Sequence, residues 1–84
     1  MYGRLRNIEI TPQVATAMLD KSGRKGRIKR AKVDKYKLTM LSGKWVEKRG
    51  MPIKFRGEDI IDGFHRLTAI TECNVTLNLP ILNL

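Results

Sequence analysis

Within five consecutive residues, Asp62-Gly63-Phe64-His65-Arg66 gathers an acid, a glycine, the only histidine of the chain and an arginine. The apolar pair Ile60-Ile61 precedes them, and Leu67, Ile70 and Cys73 recur behind them at helical spacing, so the pattern predicts a strand turning into a helix. The first turn of a helix carries unpaired backbone N–H groups and the positive end of a dipole, and glycine lets a ligand approach the backbone closely. Segment 60–69 is therefore a candidate phosphate site, with Asp62, Gly63, His65 and Arg66 as its contacting residues. Arg66 offers a fork of donors, and His65 could donate to a phosphate oxygen or shuttle a proton. Asp62 could cap the helix, orient His65 or hold a metal through water. In a purely structural role the same residues would be a cap, a polar first-turn side chain and a surface cation.

A second candidate surface comes from charge. The 84 residues hold 17 Lys and Arg against 8 Asp and Glu, a net +9, which points to polyanions or acidic partners. The charge is concentrated: Lys21 to Lys37 contains nine Lys and Arg against Asp34 alone, a net +8. The head of this stretch, Lys21-Ser22-Gly23-Arg24-Lys25-Gly26-Arg27, has two glycines and no apolar residue, which is the composition of a flexible surface loop. Arg24, Lys25, Arg27, Lys29, Arg30 and Lys32 are the candidate contacts to a nucleic-acid backbone.

The length implies a single domain, 1–84, with a thin core. Cys73 is the sole cysteine, which excludes an intrachain disulfide or a Cys-cluster zinc site; no metal site is expected, and a reducing, cytoplasmic setting is. No apolar stretch approaches the length of a membrane span, and the amino terminus lacks the apolar run of a signal peptide, so no membrane partner is expected.

The elements that must position these residues follow from periodicity. Arg6 to Ile10 alternates as a strand; Thr11-Pro12 starts a helix running to about Lys21, with Val14, Ala17 and Met18 on its inner face. Val33, Tyr36, Met40 and Leu41 mark a second helix that Gly43 stops. Trp45-Val46 and Met51 to Phe55 read as extended, with Pro52 near an edge or the start of a strand, and Gly57 to Asp59 as a turn. Phe64 to Cys73 is the third helix, closed by Asn74. Val75, Leu77 and Leu79 alternate in a strand that Pro80 separates from a last extended piece. Tyr36 and Trp45 could serve as base-stacking platforms but at these spacings read as core aromatics, and Cys73 as a small buried hydrophobe. The sum is an α+β fold, a small mixed sheet with three helices.

Asp62-Gly63-Phe64-His65-Arg66-Leu67-Thr68-Ala69 resembles the D-G-x-H-R-x-x-A box of the ParB/sulfiredoxin-like superfamily. Val33, Tyr36, Met40, Gly43 and Trp45, followed by Pro52, Ile53 and Phe55, resemble further motifs of its small ParB-like branch, so the likeness covers most of the chain from about Ile8. The resemblance implies a nucleotide-phosphate site at Asp62, Gly63, His65 and Arg66, with a nucleoside triphosphate or diphosphate and Mg²⁺ as ligand. Phe64 stands where sulfiredoxins place their reactive cysteine, so thiolate repair chemistry is not expected. No helix-turn-helix reader is visible, which implies a minimal module.

The leading expectation is a small basic ParB-like module, of bacterial or phage type, that binds nucleic acid, DNA first, through its phosphates and largely without sequence preference. The alternative is a nucleotide-dependent phosphotransferase or hydrolase, or a metal-dependent nuclease. In that case His65 would act as acid or base, Arg66 as charge stabiliser and Asp62 as a metal or orienting group. A third reading is a phage-type effector that docks on an acidic host protein.

Overall fold

A computed structural model describes residues 4–45 and 51–84. In chain order the elements are β1 (Arg4–Ile10), α1 (Pro12–Lys21), α2 (Arg30–Leu41), β2 (Ile53–Arg56), β3 (Asp59–Asp62), α3 (Phe64–Cys73) and β4 (Leu77–Asn83). The α+β class, with a mixed four-stranded sheet and three helices, is as the sequence implies. The expected extended residue Val46 lies outside the described residues.

Local signals set most boundaries. Thr11 caps α1, its Oγ1 accepting from Val14 N–H at 3.1 Å, and Pro12 occupies the first turn. Asn74 ends α3 in the left-handed conformation, φ 56°, as a C-terminal stop requires. The strands lie in the order β1-β4-β2-β3, so the first and last strands are neighbours, antiparallel from Arg4↔Asn83 to Ile10↔Leu77. β2 runs parallel to β4 and antiparallel to β3. Ile53, Phe55, Leu79 and Ile81 are buried in one core with Val33, Met40, Leu67 and Ile70. α3 packs against both α1 and α2 and so forms the middle of the helical layer.

Several expectations change. Pro80 does not divide the last strand: β4 runs through it, and β2 begins to pair only at Ile81, so at Pro80 the strand has β1 as its only paired neighbour. On α1 it is Ala15, not Ala17, that is fully buried, because the alanines are alike in hydropathy and packing against α3 chooses between them. Leu41 is 63% exposed, off the Val33–Met40 stripe.

Candidate nucleic-acid interface

The basic stretch folds as a pinned loop followed by a helix. Ser22 is buried; its hydroxyl accepts from Ile60 N–H at 3.0 Å and donates to the Arg24 carbonyl at 2.5 Å. Gly23 N–H donates to Asp59 Oδ1 at 2.8 Å, and Lys29 N–H donates to His65 Nε2 at 3.0 Å. Gly26 lies flat on the Phe64 ring, where no side chain would fit. The expected flexible loop is therefore corrected: residues 22–29 are fastened to β3 and α3 by contacts 36 to 38 residues away in sequence, which composition cannot reveal.

α2 then divides its charges between two sides. On one, Arg30 bonds Asp34 at 3.0 Å and both oxygens of Glu72, and Lys37 reaches Glu72 at 3.1 Å. These cations hold the Glu72 carboxyl down to about pKa 2, and the two acids hold the Arg30 guanidinium more firmly protonated. On the other side Lys29, Lys32 and Lys35 follow one another at three-residue spacing, all exposed and with no carboxylate partner among the described residues. The helix starts with no side-chain cap and no acid in its first turn. Lys32 and Val33 N–H both turn back to the Lys29 carbonyl, and the Arg30 and Ala31 amides ahead of them have no acceptor among the described residues.

Of the six cations expected to contact phosphate, Arg24, Arg27, Lys29 and Lys32 are exposed and unpaired among the described residues. Lys25 donates its ammonium to the Leu19 carbonyl at 2.8 Å, and Arg30 is engaged by two acids. The Arg30 expectation is thus corrected: Glu72, brought from α3 by tertiary packing, neutralises it. Lys35 belongs to the row instead, and the spacing 29, 32, 35 was the signal for it.

The strand-to-helix junction has a different geometry. Gly63 is buried with φ +120°, and a Cβ there would stand 2.5 Å from Ile53 Cδ1. The Phe64 ring is buried under Gly26. Arg66 is 6% exposed, its guanidinium turned inward to donate to the carbonyls of Met51 and, at 3.3 Å, Pro52. It lies 3.8 Å from the largely exposed Asp62 carboxylate. His65 stands at the edge of the junction beside Lys29 and Lys32. Burial, and then these two lysines, lower its pKa from the usual 6.5, so the ring is neutral with its Nε2 lone pair already accepting a hydrogen bond.

Although no side chain caps α3 either, Gly63, Phe64 and Arg66 at its start are buried, with His65 half-buried and Asp62 exposed beside them. The expected phosphate receptor at Asp62, Gly63, His65 and Arg66 is therefore corrected. The guanidinium fork binds main-chain carbonyls, the glycine is under Ile53, and the imidazole holds the start of α2. For the same reason the trio His65, Arg66 and Asp62 does not present a free base beside a free cation. No group of three or more His, Cys, Asp or Glu that could hold a metal occurs among the described residues. Cys73 is half-buried on α3, its thiol pKa raised by burial, away from the junction.

No family model matches the chain, and neither a curated protein nor a solved structure matches it. No helix among the described residues is long and apolar enough to cross a membrane.

Proposed function

We propose that this chain binds nucleic acid through the phosphate backbone, using the exposed start and lysine row of α2 with the pinned loop before it. The observation that carries this reading is the division of charge on α2: acids collect on the Arg30–Lys37 side, and the Lys29–Lys32–Lys35 side has none among the described residues. Lys29 and Lys32 stand at the positive end of an uncapped helix and repel each other and the dipole, Lys35 continues the row one turn on, and a polyanion relieves the repulsion. The anchoring of residues 22–29 supports the reading further, since Arg24 and Arg27 are then presented from an ordered backbone. The contacts are to phosphate, so binding discriminates little among sequences. The likeness of segment 62–69 to the ParB/sulfiredoxin-like box supports a kinship in fold, with the box serving the framework.

The test is the salt dependence of binding. If Arg24, Arg27, Lys29, Lys32 and Lys35 each neutralise a phosphate, log K falls with log salt with a slope of about −4.5. A slope near zero removes the mechanism. Retention of a single stoichiometric protein partner after nuclease treatment, with no binding to oligonucleotides, would replace it with docking on an acidic protein.

A further inference from the structure

We propose that the groove between α2 and β4 receives a base of a single-stranded nucleic acid, so that the chain prefers single strands to duplex; this rests on the phosphate-backbone reading above. The groove has a volume of about 450 Å³, in the range of about 300–1,000 Å³ usual for sites that enclose small organic groups. Tyr36 and Trp45 form its aromatic wall, edge to face with centroids 5.6 Å apart and planes at 76°. Leu79 and Pro80 add apolar surface, and the exposed ammonium-bearing side chains of Lys35 and Lys44 flank it. Both aromatics pack on the core but are only half-buried, so ring surface remains for a ligand.

Three features fit a nucleobase with its phosphate. A flat ring stacks on or against an aromatic side chain whatever its sequence, which matches a surface that otherwise contacts only backbone. The Trp45 indole N–H is buried with no acceptor among the described residues, and the edges of nucleobases carry carbonyl and ring-nitrogen acceptors. The lysine row leads to the groove, since Lys35 ends the row and also lines the groove. From Lys29 to Lys35 the helix advances about 9 Å, enough for two or three phosphates of a strand at roughly 3.4 Å or more each. A duplex keeps its base faces stacked and its edges paired, so it can use the row but cannot fill the groove.

Trp45 is the only tryptophan, so its fluorescence reports on the groove alone. The full chain is titrated with a short deoxythymidine oligomer, a uridine oligomer, an abasic oligomer of the same phosphate count, and a duplex of the same length. Affinity is read by the anisotropy of labelled strands and groove occupancy by Trp45 emission. The single strands should change Trp45 emission and bind about tenfold more tightly than the abasic strand, with either sugar satisfying the proposal. Trp45→Leu should erase the difference between thymidine and abasic strands. Should that variant fail to fold, the emission of the wild-type chain still decides.

Equal affinity for thymidine and abasic strands with unchanged emission overturns the groove assignment and leaves backbone binding standing. So does tighter binding by duplex. No salt-sensitive binding by any strand overturns both.

Discussion

Two helices, α2 and α3, begin within one hydrogen bond of each other, through Lys29 N–H and His65 Nε2, and neither start has a side-chain cap. One is exposed and lined by lysines; the other is covered, with its glycine under Ile53 and its arginine turned to the Met51 and Pro52 carbonyls. Residue types alone favoured the second as an anion receptor, since it has the glycine, the histidine and the arginine. The difference teaches that a donor counts towards binding only if nothing within the protein already accepts from it.

The sharpest way to break the comparison is to open the covered start. Gly63→Val meets both the positive φ and the Ile53 side chain, so it should destabilise by about 3 kcal/mol or more. In a domain this size that lowers Tm by well over about 10 °C, and an unchanged melting curve would mean that the junction is not packed as described. Arg66→Leu should come next. It strips two main-chain carbonyls of their donor and costs about 2–4 kcal/mol, while the salt slope of the folded fraction stays as in the parent. Lost binding with unaltered stability would put the guanidinium back at the ligand.

Lys29→Gln with Lys32→Gln should act the other way. Their slope should be smaller in magnitude by about 1.8, and Tm should hold or rise slightly because cations leave the positive helix end.

Two pH effects sharpen the contrast at smaller scale. His65 has a folded pKa below its ordinary 6.5, so its stabilising bond to Lys29 N–H is complete above that pH and is lost as pH falls through the lower folded value. Thermal stability should therefore decline on acidification from neutral pH, and His65→Gln, whose amide oxygen can still accept, should flatten that limb. Glu72 titrates near 2 when folded against 4.5 ordinarily, so its contribution is complete above pH 4.5 and disappears towards pH 2. The pair is partly exposed and screened, so the step should be shallow and should shrink in added salt. A Glu72→Gln chain with the same acid limb as the parent would remove that assignment.

How much was legible in the sequence follows the same divide. α3 was readable over Phe64–Cys73 because its signals are local: a glycine before it, a 3–4 apolar stripe and an asparagine after it. The start of α1 at Thr11-Pro12 was readable for that reason too. The loop at Ser22 was misread because its anchors, Asp59, Ile60 and His65, lie in distant sequence and use a serine hydroxyl and backbone amides that composition does not distinguish. Arg66 was misread in the same way, since a first-turn arginine has the same letter whether it faces solvent or the carbonyls of Met51 and Pro52. Glu72 gave no sign that it would neutralise Arg30. The row was legible only in part: Lys29 and Lys32 were among the expected contacts and Lys35 was not, although its three-residue spacing continues them.

Backbone amide shifts of the full chain, followed while a short oligonucleotide is added at low salt, distinguish the two helix starts. The amides of Arg30 to Val33 should move in step with binding and return as salt is raised, while those of Gly63 and Phe64 hold still. Movement concentrated at Gly63 and Phe64, with Arg30 to Val33 unmoved, would show that the covered start, not the lysine-lined one, receives the phosphate.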